Sequence, residues 1–283
     1  MPSPCRCTGQ ALDGMTVKTL MQSFPKHQYL DVIYTIARFV VIEAVRNRLF
    51  GLMLIGVVGI FGLGEFAGGL AITETAGVQG SLVAFVMRLA AVFILSLLVI
   101  NGVVREFNEK SIEMILALPA PRYVYYTGKL CGYLMLALIV AGVAGLPLFL
   151  YAGPGQVLMW SFSLFCELAI ITALCLFFLF TLGQVTAALC AVAAFYLLAR
   201  SMGSMQLISH SPILDTGTSV HEIMKTILDF IAVFLPDLDV FTQTAWLVYG
   251  GGMQDLVPIV VQTVIYVGLL SAAALFDLYR RNF

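Results

Sequence analysis

The chain has little charge. Only 11% of its 283 residues are Asp, Glu, Lys or Arg, against 60% hydrophobic, and its mean hydropathy is +0.98. Soluble domains carry about 25% charged residues, so the deficit places the chain in the membrane class. A net charge of -1 supplies no basic stripe and excludes nucleic acid as a partner. No disulfide framework is suggested: of six cysteines, Cys131, Cys166, Cys175 and Cys190 sit in apolar runs, and Cys5-x-Cys7 is not a complete metal or redox motif. The first 28 residues lack the apolar core of a secretory signal and read as a mobile cytoplasmic N-terminus. No phosphate-binding loop occurs either. The Gly128-Lys129 pair is followed by Leu130, and Tyr123 stands where such a loop needs its first glycine. Any ATP that drives this protein is therefore bound, with its Mg, by another chain. Ser204 and His210 lack a nucleophile elbow, and His210, Asp215 and His221 are too irregularly spaced for a metal site, so neither catalysis nor a metal is expected here.

What the sequence does have is hydrocarbon in long runs. A span needs about 20 mostly apolar residues. Six windows meet that length: Leu49–Ile72, Ser81–Val104, Leu130–Tyr151, Val157–Leu182, Gln184–Met202 and Leu256–Leu278. Before them, residues 29–48 read as an interfacial helix, with Leu30, Ile33, Ala37, Val40, Val41 and Ala44 on an apolar face and Asp31, Arg38 and Arg46 opposite. Twelve lysines and arginines fall on one side of the six spans and Lys225 alone on the other. Both termini thus face the cytoplasm of a multi-pass protein in the cytoplasmic (inner) membrane. Tyr123, Tyr125 and Tyr126 fit the inner interface, Trp160 and Trp246 the outer one. Residues 203–255 form the one sizeable outer element. There Ser219 and Glu222 make a capping box ahead of apolar residues at helical spacing from Val220 to Leu235.

The polar island between the second and third windows, Arg105 to Leu130, carries the most information. Read as a helix over 105–118, it puts Glu106, Glu109, Lys110 and Glu113 on one face and Phe107, Ile112, Met114, Ile115 and Leu118 on the other. Pro119 and Pro121 end it. A solvated loop helix would show the same amphipathicity. More specific is the order Glu106, Ser111, Glu113, the apolar run Met114 to Leu116, Leu118-Pro119, Arg122 and Gly128-Lys129. This order resembles the segment between the second and third spans of ABC transporter permeases of the type-2 exporter class, with Lys110 where glycine is usual. The similarity in span layout covers roughly Tyr29 to Phe283. It implies an all-α integral membrane protein of six transmembrane helices, preceded by an elbow helix (29–48) and carrying a cytoplasmic coupling helix (105–118). It also implies a cytoplasmic ABC ATPase partner gripping Glu106, Glu109, Lys110, Glu113 and Met114. A second permease copy is implied too, in a homodimer or with a related chain. Arg122 and Lys129 are expected to anchor the third span at phosphate headgroups.

Arg200 and Asp277 lie within two residues of a window's end, and three charges fall well inside apolar windows: Glu65, Arg88 and Glu167. Facing lipid, each would cost about 2.5–3.5 kcal/mol, so each is expected to face protein or water. Glu65 and Arg88 come within roughly 5 Å of the same depth at 1.5 Å per residue, which suggests an ion pair between the first two spans. Glu167 falls near the midplane, as a buried acid or part of a pathway. Two other readings remain open. One is a proton-coupled secondary transporter using Glu65 and Glu167, although no inverted repeat is visible. The other is a non-transporting membrane assembly factor.

Overall fold

The structure is a computed structural model that describes residues 26–68, 75–108, 122–209, 226–228, 230–231, 235–241 and 252–280. Among these residues there is no strand. The helices are α1 (Lys26–Arg46), α2 (Arg48–Gly68), α3 (Thr75–Asn108), α4 (Arg122–Gly145), α5 (Pro154–Leu182), α6 (Val185–Ser209) and α7 (Leu256–Arg280). A 3-10 turn, Leu146–Leu150, extends α4, and a single helical turn, Leu238–Phe241, lies between α6 and α7. Six helices, α2 to α7, are long and apolar enough to cross a membrane.

Local chemistry explains the boundaries. Asn47 separates α1 from α2 and caps the latter, its Oδ1 accepting the Leu49 N–H at 3.1 Å. Pro154 occupies the first turn of α5, and Gln156 Oε1 reaches back to the Gly153 N–H at 3.1 Å. Gly183 closes α5 at φ 69°, its N–H returning to the Leu179 carbonyl. Only glycine adopts that left-handed conformation without strain, and it lets α6 begin two residues later.

Helix α5 is the centre of the bundle. It packs against α3, α4, α6 and α7, and 78% of its apolar window is buried, against 11% for α2 and for α7. A helix that is hydrophobic all round suits either a core or lipid, and α5 takes the core. Helix α1 lies along α4. There Gly128 and Gly132, one turn apart, let the backbones meet: a Cβ at Gly132 would stand 3.0 Å from the Ala37 backbone. The expected apolar face of α1 is largely the docked one, with Ala37, Val40 and Ala44 buried, but Leu30 points away with Phe39 and Ile42. Phe39 and Ile42 thus form a second, uncovered apolar edge of α1.

Candidate functional site

Two buried charge centres organise the bundle, one deep among the helices and one where α3 ends and α4 begins. In the deep centre Arg88, 2% exposed on α3, meets Glu167, fully buried on α5, at 2.9 Å. The same Nη1 donates to the Phe241 carbonyl at 2.7 Å, at the end of the Leu238–Phe241 turn where helical carbonyls lack partners. Ser163 Oγ donates to that carbonyl as well, and Tyr196 on α6 donates to the second Glu167 oxygen at 3.0 Å. Ser163 and Glu167 are one turn apart on α5, so one face supplies both. The guanidinium lies 5.2 Å from the centre of the Trp160 ring. Arg88 Nη2 and Trp160 Nε1 are buried donors without a partner. Gly203 on α6 makes room for the inserted turn: a Cβ there would come within 2.9 Å of Asp239.

This arrangement corrects two expectations. Arg88 pairs with Glu167 and not with Glu65. Glu65 is exposed and accepts a hydrogen bond from the Tyr151 hydroxyl, which Gln79 Nε2 approaches at 3.4 Å. Rotation about the helix axis, and not depth alone, decides pairing, and Arg88 faces α5. Partial burial and then the Glu65 carboxylate push the Tyr151 hydroxyl up to about 12. Trp160, expected at the outer interface, is buried beneath Arg88.

The second centre corrects more. Glu106, expected on the partner-facing surface, is 7% exposed and ion-paired with Lys129 of α4, itself 3% exposed. Tyr125 donates to the other Glu106 oxygen at 2.9 Å. The Lys129 ammonium lies 5.9 Å from the ring centres of both Tyr125 and Tyr133. The Tyr133 hydroxyl packs on Gly102, where a Cβ would come within 2.6 Å. Tyr125, Lys129 and Tyr133 thus line one stripe of α4 against Gly102 and Glu106 of α3. Lys129 reaches no headgroup: its charge is spent inside the bundle. Arg122 is half-buried, and its Nη1 donates to the Leu278 carbonyl at 2.8 Å, satisfying the end of α7. Arg105 bonds Glu43 of α1 at 3.0 Å. Tyr125 and Tyr126 are buried, while Tyr123 is exposed.

Glu109, Lys110, Glu113 and Met114 lie outside the described residues, as do His210, Asp215, His221, Trp246 and most of the helix expected over 219–235. Among the described residues no group of His, Cys, Asp or Glu is placed to hold a metal. The sequence reading missed Tyr125, Tyr196 and Ser163. Ser163 carried a signal, lying four residues before an intramembrane acid, whereas the tyrosines read as interface aromatics or core. An apolar cleft of about 580 Å³ opens on the flank between α4, α5 and α7, lined by Leu138, Ala141, Leu158, Phe162, Phe165 and Leu256. Comparisons with protein-family models and with curated proteins found no match to this chain.

Proposed function

We propose that this chain is the membrane-spanning permease subunit of an ATP-driven exporter of the type-2 ABC class, with ATP and Mg bound by a separate cytoplasmic ATPase chain. The observation that carries this reading is the braced corner where α3 ends and α4 begins, on either side of residues 109–121. There α3 is tied to α4 by Glu106–Lys129 and to α1 by Arg105–Glu43, and α4 to α7 by Arg122. A segment that merely joined two spans would need no such bracing. A lever does, because force applied to it is lost unless its ends are held. The order of residues in the island, from Glu106 to Lys129, supports the same reading.

On this reading the braced corner is cytoplasmic, consistent with the twelve-to-one distribution of basic residues, and α1 runs along the inner leaflet as the elbow. ATPase contact falls to Glu109, Lys110, Glu113 and Met114, and no longer to Glu106. A second permease copy completes the pathway, and the uncovered faces of α2 and α7 are surfaces it can use. The cargo is exported, and the apolar lining of the α4–α5–α7 cleft favours a hydrophobic one. Weighing against a proton-driven carrier is the state of Glu167: Arg88 neutralises it and Tyr196 bonds it, so protonating it would strand a buried guanidinium. Purification of the chain with its membrane partners tests the proposal. An ATPase chain in stoichiometric amount supports it, and substrate uptake driven by a proton gradient in vesicles holding this chain alone refutes it.

A further inference from the structure

We infer that Glu106 and Lys129 are positioning residues, a buried charge pair that fixes the two ends of residues 109–121 against each other. Movement of that segment then reaches α1, α3 and α4 as one body. The inference rests on the reading of this segment as the ATPase-gripped element, but the geometry behind it does not. A pair at the surface between two helices would be solvated and weak. This one is enclosed: the ammonium is 3% and the carboxylate residue 7% exposed, with the Tyr125 and Tyr133 rings beside the cation. Both carboxylate oxygens are used, one by Lys129 and the other by Tyr125. Neither partner can leave without exposing an uncompensated charge to hydrocarbon, so the separation of the two helix ends is fixed where the chain departs. Close packing extends the constraint along α4, through Tyr133 over Gly102 and through Gly128 and Gly132 against α1. Because that packing seats α1 directly on α4, α1 moves with the same corner; the Arg105–Glu43 pair, with Arg105 exposed, adds little. Sequence alone makes Glu106 a contact for the partner. Burial makes it the pivot behind the contact instead.

The test compares Glu106→Gln, Lys129→Met and the charge-reversed double variant Glu106→Lys with Lys129→Glu, in the full chain in nanodiscs. Spin labels on cysteines introduced at Asn101 and Tyr123, both exposed, report the separation of the helix ends. Cys5, Cys7, Cys131 and Cys190 are replaced by serine in that background. The unmodified pair should give one narrow distance distribution, each single variant a broadened one, and the reversed pair a narrow one again. Single variants as narrow as the parent overturn the inference. Should Lys129→Met fail to insert, Glu106→Gln, which keeps shape and one acceptor oxygen, carries the comparison. In the complex with its ATPase, the single variants should transport about tenfold less cargo per ATP hydrolysed, with recovery in the reversed pair. An unchanged ratio despite a broadened distribution also overturns the positioning role. If no ATPase associates with the parent chain, the functional proposal falls, while the distance measurement still decides whether the pair fixes the helix ends.

Discussion

Arg88 spends Nη1 on two acceptors and leaves Nη2 without a partner among the described residues, so its loss should be felt in two places at once. Replacing Arg88 with Met leaves the buried Glu167 carboxylate with no counter-charge and only the Tyr196 hydroxyl, and leaves the Phe241 carbonyl to Ser163 alone. The expected destabilisation is about 3–5 kcal/mol, read as a lower midpoint of thermal unfolding in detergent. Removing both charges, Arg88→Met with Glu167→Leu, should recover most of that loss, because a matched apolar pair strands nothing. Tyr151 behaves differently. It donates its hydroxyl to Glu65 and titrates near 12 where a free tyrosine titrates near 10. A raised pKa means that the contact stabilises fully below pH 10 and is lost as pH rises toward 12. An ultraviolet titration of the chain against Tyr151→Phe should show one late-ionising tyrosine missing from the variant. At this scale the sequence identified Arg88 and Glu167 as shielded charges, because hydrocarbon penalises each alike, but it missed Glu106 and Lys129, and Glu65 is exposed. It could not assign partners, because pairing depends on helix rotation that a depth estimate does not contain. Arg88 therefore meets Glu167, and Glu65 is left to Tyr151.

Elements owe their positions to a few small residues. The Gly128–Gly132 stripe of α4 seats α1 so closely that a side chain at Gly132 meets the Ala37 backbone and the Val40 Cβ. Gly132→Val should push α1 away, at a cost of about 1–3 kcal/mol. Faster hydrogen exchange over Lys26–Arg46, with α5 unchanged, would locate the effect. The existence of α1 and of the six long helices was legible in the sequence, since length and apolar content dictate them. Which face of α1 docks was legible in part: Ala37, Val40 and Ala44 are buried as the pattern predicts, while Leu30 is turned outward. The inserted Leu238–Phe241 turn was not legible. It stands just after Pro236-Asp237 in a largely apolar stretch with no clear helical window of its own, and what draws it inward is a backbone carbonyl, which no side-chain pattern records. Nor was the burial of Glu106, which shares a predicted helical face with Glu109 and Glu113 yet belongs to the end of α3.

Across the whole molecule, charge has been drawn inward from both ends of the apolar bundle and fixed at two centres. The deep one ties the Leu238–Phe241 turn to α3 and α5. The other ties the ends of residues 109–121 to the body. Between them α5 is the most enclosed of the long helices, while α2 and α7 offer uncovered flanks to lipid and, on the proposed reading, to a second copy. On the proposed reading, partner binding falls to Glu109, Lys110, Glu113 and Met114. Glu109→Ala with Glu113→Ala should uncouple ATP hydrolysis from transport about tenfold without loss of membrane insertion. The most direct measurement is a photo-crosslinking residue placed at position 110 in native membranes, followed by labelling with a photoreactive ATP analogue. The expected result is a covalent adduct between this chain and an ATP-labelled chain on the cytoplasmic side, weakened by Glu109→Ala with Glu113→Ala. The contrary result is reaction of residue 110 with an impermeant reagent from outside the cell, or adducts that never carry the nucleotide label.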